Sequence, residues 1–137
     1  MNEDLDVAEA KSATQAVENQ IVDAVPAQFV FSRHQIEAGS FLSCGDGGHS
    51  WSGFAAAEIA NDPDPGDVLD PIGAVFAEQS GFATASREDQ GDQLLDVRSD
   101  DGTLWIVRYD RARAELSVNS FSACLRLPDD IWPGSPY

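Results

Sequence analysis

The sequence predicts an α+β fold, in which two helices pack on one face of an antiparallel sheet of five or six strands. Three observations lead to this class. Apolar residues repeat at helical spacing in two segments, they alternate at strand spacing in the last third of the chain, and two cysteines stand at the ends of predicted strands. With 137 residues, the chain is long enough for one domain with its own core, so we expect a single domain over residues 1–137.

The leading segment, residues 1–26, is predicted to form an acidic amphipathic helix over residues 4–25. Its small apolar residues recur at steps of three or four from Val7 to Ala24 and form one narrow stripe. Pro26 ends the helix. We interpret it as a helix docked on the sheet, and the alternative is a helix that binds a partner.

The core region, residues 27–127, begins with two segments of β-favouring residues at positions 28–36 and 40–44. A glycine-rich turn separates them from a third candidate strand at 50–59, whose alanine-rich second half is equally compatible with a helix. These three segments supply the first part of the predicted sheet.

The second helix is predicted over residues 68–80, after a proline-containing loop. Asp67 or Asp70 can cap it, and Pro71 is tolerated in its first turn. Gly81 suits the left-handed position that commonly ends a helix.

The last third predicts three antiparallel strands at residues 94–99, 103–109 and 115–124, with a hairpin turn at Asp100-Asp101-Gly102. Residues 128–137 hold three prolines and show no periodicity. We therefore expect an irregular tail, anchored by Trp132 or leaving Trp132 exposed for a partner.

The two cysteines, Cys44 and Cys124, each end a predicted strand, so the sheet could bring them within bonding distance. We favour a disulfide that closes a loop of about 80 residues. Two buried reduced thiols, or a nucleophile or metal ligand, are the alternatives.

The charge of the chain excludes one class of partner. With 24 acidic and 8 basic side chains, the net charge is −16, which repels phosphate backbones, so we expect no nucleic acid partner.

No apolar run approaches the roughly 20 residues of a membrane-spanning helix. The first residues, Asn2-Glu3-Asp4, do not form the basic and apolar regions of a signal peptide.

Few residues suggest catalysis or metal binding. His49 could act as a base with Ser50 or Asp46, but the neighbouring sequence departs from known nucleophile motifs. Asp62, Asp64 and Asp67 suggest a calcium loop, yet their spacing does not match an EF-hand. We expect no catalytic residue, no metal and no cofactor. The candidate partner contacts are Trp132, Asp62, Asp64 and Asp67.

In a set of short motifs, the chain resembles a family, the small secreted lipoproteins of actinobacteria of the LppA-like kind. The motifs that accompany the leading helix and the three-strand meander are Ser43-Cys44-Gly45, Trp51, Gly81-Phe82 and Ser122-Ala123-Cys124. The resemblance implies an α+β fold, a disulfide and a location outside the cytoplasm, and it implies no catalytic residues. Because no lipobox cysteine stands at the start, it implies contact with a membrane only through a lipid anchor on a removed upstream segment.

The leading hypothesis is a non-enzymatic extracytoplasmic domain, secreted or anchored at the cell membrane, that binds a protein or a cell-envelope ligand. One alternative is an acidic immunity or inhibitor protein that binds a basic toxin or nuclease. Another is a hydrolase that uses His49. If the charge serves capture of a basic partner, Asp62, Asp64 and Asp67 should join Glu3, Asp4 and Asp6 in one face; we favour a role in solubility instead.

Overall fold

The chain folds around one antiparallel sheet with two helices, as a computed structural model that describes residues 1–2 and 4–137 shows. The α+β class is confirmed. The helices and strands are α1 (Val7–Ala24), β1 (Val30–Gln35), β2 (Ser40–Gly45), β3 (Gly48–Ile59), α2 (Pro65–Ala77), β4 (Phe82–Asp89), β5 (Asp92–Ser99), β6 (Leu104–Asp110) and β7 (Glu115–Phe121).

Within residues 1–2 and 4–137, the sheet has seven strands in the order β1-β3-β7-β6-β5-β4, with β2 also paired to β3, so the predicted five or six strands were too few. β1 pairs with the second half of β3 and β2 pairs with its first half, so both lie along the same edge of β3. The strand that the sequence did not predict is β4. It is an edge strand that is exposed along most of its length, and therefore lacks the apolar alternation of a half-buried strand.

Neither helix begins where the sequence predicts: α1 begins after the predicted residue 4, and α2 begins before the predicted residue 68. α1 starts after Asp6, whose carboxylate accepts the N–H of Ala8 at 2.7 Å. α2 starts at Pro65, because proline suits the first helical position, so neither Asp67 nor Asp70 is its cap.

The predicted role of Gly81 was wrong. Its φ is +88°, but α2 already ends at Ala77, four residues earlier. Gly81 instead belongs to the turn before β4, where its carbonyl accepts the N–H of Asp100 at 2.9 Å.

The main core lies between both helices and one face of the sheet, which we call the covered face. Its helical members are Val17, Ile21, Val22, Val68, Leu69, Ile72 and Phe76, and its strand members include Ala55, Ala57, Leu95, Val97, Trp105, Val107, Tyr109, Leu116 and Val118. The candidate segment at 50–59 is therefore a strand, and its alanines allow α1 to approach the sheet closely.

A second, smaller cluster holds the tail. Phe41, Trp51 and Leu125 form its centre, together with Val7 and Ala10 of α1. The carbonyl of Tyr137 accepts the Trp51 indole N–H at 2.9 Å and the Gly39 N–H at 2.7 Å. The tail is thus anchored by Tyr137, whereas Trp132 is 72% exposed.

Candidate functional site

The disulfide Cys44–Cys124 is present and links the end of β2 to the segment that follows β7. The two Cα atoms are 6.0 Å apart across a sequence separation of 80 residues. Beside it, His49 and Leu125 exchange two backbone hydrogen bonds of 2.8 and 2.9 Å. The bond therefore fixes the β2–β3 hairpin to the start of the tail.

His49 and Ser50, one of the two pairs in the hydrolase hypothesis, do not form a nucleophile and base. His49 and Ser50 are consecutive in β3, so their side chains point to opposite faces of the sheet. The Ser50 hydroxyl donates to the carbonyl of Ser122. The His49 Nδ1 atom is buried and has no hydrogen-bond partner among the residues that the structure describes.

Asp62 and Asp64 are held by one arginine. The Arg111 guanidinium donates to the Asp62 carboxylate at 2.9 Å and contacts that of Asp64 at 3.0 Å. These hydrogen bonds and the positive charge hold the pKa of Asp62 below its usual range. Asp67 lies exposed in the first turn of α2. Within residues 1–2 and 4–137, no three His, Cys, Asp or Glu side chains are grouped to hold a metal ion.

The single acidic face considered for partner capture is not formed. Asp6 precedes α1, whereas the loop with Asp62 lies at the other end of that helix, where the Asn61 amide donates to the Gln28 carbonyl at 3.0 Å. α1 has 18 residues and is therefore about 27 Å long. Glu3, the further member of that predicted face, lies outside the described residues.

Glu18 is a buried carboxylic acid that the sequence reasoning missed. It lies between α1 and the covered face with no exposed surface. Its oxygens accept hydrogen bonds from the Gln35 amide, at 3.0 Å, and from the Ser120 hydroxyl. Burial raises the pKa of Glu18, and these two hydrogen bonds only partly oppose the rise. Its position next to Val17 on the apolar side of the helix was the available signal.

The other face of the sheet, which we call the open face, carries an apolar patch. Phe121 lies directly opposite Leu104 of β6, and Asn119 lies between Phe54 and Ile106. Phe54, Leu104, Ile106 and Phe121 are half-buried and form what we call the open-face patch. Both helices pack on the covered face, so neither shields this patch.

Ion pairs cover a neighbouring part of the open face. Arg87 contacts Asp96 at 2.8 Å, and Arg108 contacts Asp92 at 2.8 Å. Both arginines lie directly opposite Leu94, which is only 1% exposed although it belongs to neither apolar cluster. The arginine stems therefore shield Leu94 from water.

Three carboxylates stand side by side at one end of the open face. Glu58 lies directly opposite Glu115, and Glu115 directly opposite Asp110, so β3, β7 and β6 each contribute one acid. We call Glu58, Glu115 and Asp110 the acidic row. Arg113 approaches Asp110 at 3.8 Å but is itself 79% exposed. Like charges directly opposite each other in a sheet are unfavourable, so this row destabilises the isolated fold.

Comparison with other proteins adds no relative. No family model matches the chain, and no curated protein or solved structure is significantly similar to it. The likeness to LppA-like lipoproteins therefore stays a prediction that rests on short motifs. Neither described helix has the length and apolar character needed to span a membrane.

Proposed function

We propose that this chain is a non-enzymatic extracytoplasmic binding domain that captures a basic protein partner on the open face of its sheet. The observation that carries the proposal is that the open-face patch and the acidic row lie on the same face of the sheet, separated by the single row of Ala56, Ser117 and Arg108. The patch offers two aromatic and two aliphatic side chains, which suit the desolvated centre of an interface. The acidic row offers a place for the partner's basic side chains.

The charge distribution supports a basic partner. Arg33, Arg87, Arg108, Arg111 and Arg113 are all in ion pairs with aspartates of the chain, so these positive groups already have acidic partners. The excess of acidic over basic side chains leaves a net charge of −16, whose negative field speeds the encounter with a positively charged surface. A lysine or arginine placed between Glu58 and Glu115 would also remove their mutual repulsion.

The disulfide supports the proposed location outside the cytoplasm. Disulfides persist in oxidising surroundings such as the cell exterior, and are rare where cytosolic thiols keep cysteines reduced. The Cys44–Cys124 bond is therefore consistent with a domain that is secreted or held at the outer side of the membrane.

An inhibitor or immunity protein against a basic toxin or nuclease is the second candidate, and the acidic row favours it. The two candidates use the same surface and differ in what the partner does. If the captured partner is an enzyme and loses its activity when this domain is added, the second candidate is correct.

The test is capture from envelope and culture-supernatant fractions of the cells that make this chain, with matched variants. The double variant Leu104→Thr/Ile106→Thr removes apolar surface from the patch while keeping residues that favour strands. Val75→Thr is the control, because Val75 is exposed in α2, which packs on the covered face and not on the open face. We expect the same basic protein to be retained by the wild type and the control, and about tenfold less by the double variant.

Salt gives a second criterion for the same experiment. Because the acidic row acts through exposed charges, we expect retention to fall as the salt concentration rises. Equal retention of every protein by the wild type and the double variant would refute the proposal.

A further inference from the structure

A cavity of about 150 Å³ lies between α1 and the covered face of the sheet. Ala10 and Ala13 of α1 face Phe82 and Trp105 across it. The cavity opens to solvent, because Ala13 and Asp101 in its lining are exposed, and the small alanine side chains leave room that larger residues would fill. The Trp105 indole N–H already donates to the Thr14 carbonyl at 3.0 Å, so the indole presents its apolar ring to the cavity.

One side of this cavity is polar and negatively charged. Ser99, Asp101 and Thr103 line it, and Asp101 is exposed to solvent. The Asp101 carboxylate accepts a hydrogen bond from the Thr103 N–H at 3.0 Å and another from the Ser99 hydroxyl. Partial burial raises the pKa of Asp101, but these hydrogen bonds outweigh burial and hold the pKa below its usual range. The cavity therefore combines an apolar interior with an ionised mouth.

We propose that this cavity binds a small aromatic cation, with the ring between Ala13 and Trp105 and the ammonium group at Asp101. Apolar cavities of about 150 Å³ take up benzene-sized rings. The carboxylate adds attraction for a positive group, and the net charge of −16 disfavours an anion. This site is separate from the open face, so it goes beyond the proposed function.

The test uses three probes of similar size: the cation 2-phenylethylamine, the neutral ethylbenzene and the anion phenylacetate. Binding is followed by the NMR signals of the indole N–H groups, with Trp105 in the cavity and Trp132 as an exposed internal control. We expect a saturable shift of the Trp105 signal with the amine. We expect about threefold to fivefold weaker binding of ethylbenzene, and no binding of phenylacetate.

Two variants of α1 test the location of the site. Ala13→Leu fills the cavity and should abolish the shift of the Trp105 signal. Ala8→Leu, at an exposed position beside Ser12 and Gln15 on another side of the same helix, should leave it unchanged. Thermal unfolding of both variants checks that they fold. If Ala13→Leu does not fold, the comparison of the three probes on the wild type decides alone. The proposal is overturned if the amine gives no saturable shift, if phenylacetate binds as well as the amine, or if a folded Ala13→Leu variant binds like the wild type.

Discussion

On strand β6, Trp105, Val107 and Tyr109 are buried under the helices, whereas the residues that alternate with them lie half-buried on the open face. The covered face is continuous in its apolar character from β3 to β5. The open face instead combines the four-residue open-face patch, a set of arginine–carboxylate pairs and the acidic row. The comparison indicates that the covered face determines the fold, and that the open face keeps features that the isolated fold does not need.

The largest expected difference between the two faces is in stability. Phe76 has no exposed surface and its ring centroid lies 5.1 Å from that of Phe82, so Phe76→Ala should lower the free energy of unfolding by about 3–5 kcal/mol. Ile106→Thr on the open face should lower it by about 1 kcal/mol or less. Urea unfolding of both variants measures the two values. Equal losses would show that the open face is part of the core.

The disulfide should matter most for the smaller cluster around Trp51. Replacing both cysteines by alanine removes the constraint on a loop of 80 residues, and we expect a loss of about 2–4 kcal/mol. Because Cys124 precedes the tail that packs on Trp51, hydrogen exchange of the tail backbone should increase more than that of β6. Uniform exchange in both regions would contradict a local role for the bond.

Glu18 gives the covered face a pH dependence. Because burial raises its pKa in the folded chain, the folded state holds the proton more tightly than the unfolded state. The resulting stability is fully present below the unfolded pKa, near 4.3, and declines as the pH rises through the folded pKa.

The variant Glu18→Gln tests this dependence, since glutamine can keep hydrogen bonds to Gln35 and Ser120. We expect it to remove this decline, so its stability relative to the wild type should rise with pH. Chemical unfolding at several pH values between about 4 and 8 measures the difference. Parallel curves for the two proteins would show that Glu18 does not titrate differently on folding.

The smallest expected effect concerns the acidic row. The double variant Glu58→Gln/Glu115→Gln removes two like charges that lie directly opposite each other, so it should stabilise the fold by up to about 1 kcal/mol at low salt. Thermal unfolding should show the gain shrinking in 1 M salt, where the Debye length is about 3 Å. The same variant should bind the basic partner less well. A loss of stability would mean that these glutamates support the fold.

The sequence predicted the features that depend on local patterns. The alternation in β6, the turn at Asp100-Asp101-Gly102 and the pairing of Cys44 with Cys124 are all confirmed. Strand β4 was missed because Ala83 and Ala85 are exposed at the sheet edge and give no apolar period.

The candidate site was harder to predict, because it depends on contacts between distant residues. Arg111 pairs with Asp62 across 49 positions and also contacts Asp64, so two carboxylates that the sequence showed as free share one arginine in the structure. The sequence alone does not distinguish Leu104 and Ile106 from the core residues of β6, because only the placement of the helices decides which face of the strand is covered. Glu18 was not singled out from the sequence, because a charged side chain is seldom fully buried.

The measurement that tests the central claim most directly is photo-crosslinking in the cells that make this chain. The photoreactive residue p-benzoylphenylalanine replaces Phe121 in the open-face patch, and in separate proteins it replaces Val75 of α2 or Trp132 of the tail, which are both exposed. We predict one adduct with a basic protein from position 121, which excess wild-type domain suppresses, and none from position 75. Adducts from position 75 or 132 together with none from position 121 would contradict the assignment of the open face as the binding surface.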